Sequence, residues 1–152
     1  MTTIAFRDGV VASDSFMSSG NTIVSRDTKK ILCTPDLVFC FAGKYEDGIS
    51  AFKWAQDQSS AKPNCNGSAF WFFDRAGAYG MDSGLIQFPL PLIDGFASMG
   101  TGDDIALGAM AYGASAEEAV SIACQLDAFT GGHVVTLDLR QHFLLPDWRP
   151  HE

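Results

Sequence analysis

A threonine hydroxyl attacks a carbonyl only when a base stands close enough to take its proton. Thr2 follows the initiating methionine. Were Met1 removed, Thr2 would carry a free α-amino group, whose unperturbed pKa of about 7.7–8.0 leaves part of it neutral at pH 7. Nucleophile and base would then share one residue. Two more residues suit that chemistry. Asp14 stands as far after Asp8 as Thr2 stands before it, so an antiparallel hairpin centred on Asp8 brings Asp14 to the N-terminus. In a strand over 28–33, Thr28, Lys30 and Leu32 share one face by period two. A lysine beside Asp14 and the amine would hold positive charge there, lower the amine's pKa and favour its basic form. Taken singly, Lys30 also fits a solvated strand lysine and Asp14 a turn carboxylate.

The elements that must position these residues follow from the pattern. Residues 3–7 and 10–14 flank Asp8-Gly9, a strong signal for a tight hairpin, so the chain opens on a strand. Gly20-Asn21 marks a turn before strands at 22–25 and 28–33, and Pro35-Asp36 is a further break. The run 37–42 is continuously apolar, as a strand covered on both faces should be. Spacing turns helical over 47–58, with Ile49, Phe52 and Ala55 or Gln56 on one side. Residues 59–68 read as a loop, 69–74 and 78–81 as a second hairpin, and 85–98 as an extended, proline-broken segment.

Two helices come next. One covers 105–112, with Thr101 a candidate N-cap. The other opens on the capping box Ser115-Ala-Glu-Glu118 and carries an apolar stripe of Ala119, Ile122, Ala123 and Leu126. Residues 133–139 alternate as a strand, and 140–152 show no period. Segregated runs of strands and helices predict one α+β layered domain over 1–152.

Composition narrows the function classes. Hydrophobic residues at 47% against 18% charged describe a globular chain. A net charge of −8, spread along the sequence, argues against a nucleic-acid partner, which needs a basic face. Cys33, Cys40, Cys65 and Cys124 form no CxxC pair and read as three buried thiols and one loop thiol, Cys65. His133, His142 and His151 are too scattered to suggest a metal site. The first residues lack the basic and apolar regions of a signal peptide. The longest apolar stretch, 85–96, is interrupted by Gln87, Pro89, Pro91 and Asp94 and does not suit a membrane span. A soluble cytoplasmic protein is expected.

The stretch TTIAFRDGVVASDS at 2–15, followed by GNTIVSRDTKKI at 20–31, closely resembles the start of the HslV peptidase and of proteasome β subunits. That family places a catalytic threonine at the mature N-terminus, an aspartate after the second strand, a Gly-Asn turn and a lysine beyond it. The resemblance matches these to Thr2, Asp14, Gly20-Asn21 and Lys30. Phe41-Ala42-Gly43 is similar to the segment whose glycine N–H forms the family's oxyanion hole, and Thr28, Phe41 and Tyr45 would line the pocket for the residue before the cleaved bond. Met99-Gly-Thr-Gly102 is similar to Gly-Ser-Gly, with Thr101 where the family has serine. Leu126-Asp-Ala-Phe-Thr-Gly-Gly132 resembles Asp-x-x-Ser-Gly-Gly, matched by Asp127, Thr130 and Gly131.

The resemblance implies an N-terminal nucleophile (Ntn) hydrolase αββα sandwich: two packed, mostly antiparallel sheets between helical layers. One helical layer would be abbreviated, since no second long helix precedes residue 69. It implies a threonine-type endopeptidase acting on peptides or unfolded protein, with no cofactor, assembled as a homo-oligomer such as a ring. The short middle leaves an ATPase unfoldase partner open. Two alternatives stand beside it: a small-amide hydrolase of the same fold, and a non-catalytic assembly subunit retaining Met1.

Overall fold

Asp8 and Gly9 both take positive φ, 52° and 77°, as a two-residue hairpin turn requires, and join β1 (Thr3–Arg7) to β2 (Val10–Ser13). The turn is centred between Asp8 and Gly9, so Ile4 pairs with Ser13. Thr3, rather than Thr2, therefore stands across from Asp14, a shift of one from a hairpin centred on Asp8. The Asp14 N–H donates to the Thr3 carbonyl at 3.2 Å.

The computed structural model describes residues 2–151. After the hairpin come β3 (Met17–Ser19), β4 (Thr22–Ser25), β5 (Ile31–Thr34), β6 (Leu37–Ala42) and α1 (Tyr45–Gln56). Next are β7 (Ala69–Asp74), β8 (Gly77–Met81), β9 (Gln87–Pro89) and β10 (Phe96–Gly100). The chain ends through α2 (Asp103–Ala111), α3 (Ala116–Leu126), β11 (Val135–Asp138) and α4 (Leu139–Phe143). One sheet runs β10-β1-β2-β11 and another β5-β6-β7-β8-β9, while β3 and β4 pair by themselves. The ladders are antiparallel.

Alternation along the strands decides what packs where. Ile4, Phe6 and Val11 of the first sheet meet Val38, Cys40, Trp71 and Phe73 of the second in a shared core. Phe6 stacks on Phe73 at 5.3 Å between ring centroids. Ala5 and Ala12 face the other way, onto Ala106, Met110, Ala119 and Val120 of α2 and α3. Phe39, Phe41 and Phe70 turn from the shared core to Ala51 and Trp54 of α1.

Several elements depart from the sequence reading. The strand expected over 28–33 begins its ladder at Ile31; Thr28 and Lys30 precede it, because the Thr28 N–H is drawn to the Ser15 carbonyl at 2.9 Å. Both remain buried on the alternation expected of them. The helix expected over 47–58 is α1, and its buried side is Gly48, Ala51 and Trp54 rather than Ile49 and Phe52. Gly48 adds nothing to a hydrophobic pattern, yet its missing side chain is what admits the Phe41 ring against the helix.

In α3 the capping box forms, but Ile122 and Leu126 are exposed and Val120 takes their place inside. The extended segment 85–98 holds β9 and the start of β10, which pairs with β1. Leu139 leaves the last strand to open α4, and Asp138 caps that helix by accepting from the N–H groups of Arg140 and Gln141. Cys33 is exposed and the loop residue Cys65 buried, the reverse of the expectation. Among the described residues no helix is long and apolar enough to cross a membrane.

Candidate active site

A cleft of about 500 Å³ opens beside the N-terminal strand, and Thr2, Thr28, Lys30, Phe41, Gly43 and Tyr45 all line it. Met17 and Val24 of the β3–β4 pair form one wall, and Asn66 and Gly67 contribute to another. Thr2 is 2% exposed. Phe41 closes the floor beneath Tyr45, whose ring meets it edge-on at 5.9 Å. A second cavity, about 590 Å³, opens at the C-terminal end of α1 near Pro35 and Gln87 and holds none of the expected site residues.

Lys30, at the cleft lining, reaches back to Asp14, its Nζ 2.8 Å from Asp14 Oδ1. Both side chains are buried. Taking two charges out of water is costly, and such a pair persists only with further hydrogen bonds. Asp14 has them: Oδ1 also accepts from the Thr3 N–H at 3.2 Å, and Oδ2 from the Gly131 N–H at 3.1 Å. Burial pulls the Lys30 ammonium below its usual pKa, against the opposing pull of Asp14 beside it. A lysine so placed gives up its proton more readily than an exposed one.

A second polar group lies on the far side of the strand. Asp127 caps the C-terminus of α3, where the helix dipole disfavours a carboxylate. Two hydroxyls offset this: Thr101 donates to Oδ2 at 2.6 Å and Thr130 to the same oxygen at 2.5 Å. Burial pushes the Asp127 carboxyl upward, but these hydroxyls and the Phe129 N–H bring it below the ordinary carboxylate value. Thr101 Oγ1 also lies 3.5 Å from the Thr2 carbonyl. Thr101 does not cap α2; Gly102 holds that position and no side chain caps the helix. Its hydroxyl is committed to Asp127 instead.

The expected residues thus fall into three groups around Thr2: the cleft lining, the Lys30–Asp14 pair, and the Asp127 hydroxyl cluster. Gly43 takes φ +125°, a conformation that side chains disfavour, and a Cβ there would strike Ser68. Its requirement for glycine is therefore local packing as well as room for a ligand. Ser68 escaped the sequence reading. Its hydroxyl donates to Asp47 at 2.7 Å and accepts the Lys44 N–H at 3.3 Å, fixing the turn after Gly43. A serine ending a polar loop carries no pattern that would reveal this. Thr3 was also missed; its hydroxyl is 2.7 Å from that of Thr130. Met1, on whose removal the expected chemistry depends, lies outside the described residues.

No protein-family model matches the sequence, and no curated protein matches it. Solved structures do. The crystal structure of eukaryotic HslV from Trypanosoma brucei superposes with a TM-score of 0.65 at 18% identity, covering 90% of this chain and 97% of that one. Thiobacillus denitrificans BPH gives 0.62 at 18% identity, covering 90% of this chain and 95% of that one. Such likeness is one of backbone and topology, and on it this chain has a divergent form of the HslV/proteasome-type fold.

Proposed function

We propose that this chain is a threonine-type peptidase of the proteasome/HslV kind, with Thr2 as nucleophile once Met1 is removed. The observation that carries the reading is the cleft itself, which brings Thr2, Lys30 and Gly43 into one lining with Thr28, Phe41 and Tyr45. The Thr2 amine takes the proton of Oγ as Oγ attacks the peptide carbonyl. The Gly43 N–H stabilises the oxyanion, and the protonated amine then delivers its proton to the leaving amine. Water hydrolyses the resulting ester through the same groups. Lys30 with Asp14, and Asp127 with Thr101 and Thr130, set the charge and orientation around the amine. No step in this sequence calls on a cofactor.

The layered cores support the αββα arrangement of the Ntn hydrolases, with α1 alone on one side and α2 and α3 on the other. The apolar floor at Phe41 favours hydrophobic side chains before the cleaved bond. Assembly into a homo-oligomeric ring, acting on peptides or unfolded protein in the cytoplasm, completes the proposal. The test starts with the intact mass of the purified protein. Loss of Met1, together with labelling by an electrophile selective for N-terminal threonine that Thr2→Ala abolishes, is the expected result. Full retention of Met1 would overturn the reading. Fluorogenic peptides of graded length then distinguish a peptidase from a small-amide hydrolase, and native mass spectrometry reads the assembly.

A further inference from the structure

We infer that Thr3 is a positioning residue of this site, tying the Asp14–Lys30 pair to the Asp127 hydroxyl cluster through one buried residue. The inference rests on Thr2 being the nucleophile. Thr3 is 0% exposed. Its backbone N–H donates to Asp14 Oδ1 at 3.2 Å, and its hydroxyl lies 2.7 Å from Thr130 Oγ1.

The direction of the second bond follows from counting protons. An ionised carboxylate only accepts, and the Thr130 hydroxyl has a single proton, which goes to Asp127 Oδ2 at 2.5 Å. Thr3 must then be the donor to Thr130. The order is Thr3 to Thr130 to Asp127, a directed chain in which each donor strengthens the next.

Successive side chains on a strand leave opposite faces. Thr2 lines the cleft, so Thr3 points away from it, toward α3 and the Thr130 loop. Thr3 is thereby excluded as the attacking group but well placed to hold residue 2. A separate feature makes room for this contact. A Cβ on Gly102 would overlap the Thr3 hydroxyl and approach Thr130 Oγ1 to 3.3 Å. The φ of Gly102 is −96°, which any residue adopts, so space rather than backbone conformation is what keeps this position small.

The test compares Thr3→Val, Thr3→Ser, Gly102→Ala and Thr2→Ala in the full chain. The probe is a peptidyl epoxyketone, which needs a hydroxyl and an amine on one residue. Valine keeps the shape and the backbone N–H and deletes only the hydroxyl. Thr3→Val should label about tenfold more slowly, the effect of one lost hydrogen bond. The acid limb of its pH–rate profile should move to higher pH, because Asp127 loses a strengthened donor. Thr3→Ser should restore both the rate and the profile. Gly102→Ala, which displaces the hydroxyl without altering residue 3, should behave like Thr3→Val, and it decides the matter alone if Thr3→Val does not fold.

A wild-type rate and profile in the deciding variant overturns the inference. So does an equal loss in Thr3→Ser and Thr3→Val, since that would report packing. These outcomes are separable from failure of the nucleophile itself. If Thr2→Ala still labels, the reading of Thr2 is wrong; if Thr2→Ala is inert while Thr3→Val is normal, only Thr3 loses its role.

Discussion

Lys30 and Asp14 are 16 positions apart in sequence and 2.8 Å apart in space, buried, with every partner of the carboxylate in place. Lys30→Met would leave the buried Asp14 carboxylate without the Lys30 cation beside it. Breaking a buried pair in this way costs about 3–5 kcal/mol, which a melting or denaturant titration would read. Electrophile labelling of Thr2 should fall about 100-fold or more if the lysine helps set the state of the acid–base group. A stable variant labelled at the normal rate would remove Lys30 from the site. Asp127 offers a pH test with a definite sign. Its folded pKa lies below the ordinary 3.8. Its contribution to stability is therefore complete above that value and is lost as pH falls through the lower, folded one. The melting-temperature gap between the protein and Asp127→Asn should be open at pH 7 and close in stronger acid. A gap that stays constant across the series would contradict that origin.

Among the elements, α1 shows how a glycine can decide the face of a helix. The sequence put Ile49 and Phe52 inward, whereas Gly48, Ala51 and Trp54 are the buried residues. Two opposing effects compete in Gly48→Ala. Alanine improves helix propensity by about 1 kcal/mol. The new methyl would, however, overlap the buried Phe41 ring, and overpacking of this kind costs about 1–3 kcal/mol. The clash should win, lowering the melting temperature and disturbing the cleft floor. Gly108→Ala in α2 provides the contrast, because a Cβ there meets nothing within 4 Å. That variant should gain about 0.5–1 kcal/mol. If both substitutions stabilise equally, the Phe41 contact has no weight. The hairpin was easier to read than the helix face. Asp8-Gly9 specifies its turn through local conformation alone, and only the count of turn residues was needed to fix Thr3 opposite Asp14.

For the whole molecule, the aperiodic tail turns out to close the core. Trp148 is 3% exposed and meets Phe6 and Phe73 edge-on, each at 6.2 Å, while its indole N–H donates to the Asp74 carbonyl at 2.7 Å. Trp148→Ala should cost about 3–5 kcal/mol, read from a denaturant midpoint. A loss under about 1 kcal/mol, the level of a surface change, would show that the tail does not seal the two sheets. No periodicity announces such a residue, since a single side chain inserted from an irregular segment repeats nothing.

What the sequence determined by itself was what short-range chemistry dictates. The Asp8-Gly9 turn, the buried strand β6 and the Ser115 capping box all follow from residues a few positions apart, whereas β3 and α4 carried no such local signal. The set of residues that resembles a threonine peptidase was legible too, because it is a matter of type and spacing. Tertiary structure decided which of them meet. Asp14 reaches Gly131 and Thr101 reaches Asp127 only when the sheets and helices have packed, and Thr101 gives up the cap it could have formed to do so. Thr3 became visible by the same route. A hydroxyl on the buried side of a strand has no signature in sequence, and its role depends on what lies 127 residues away.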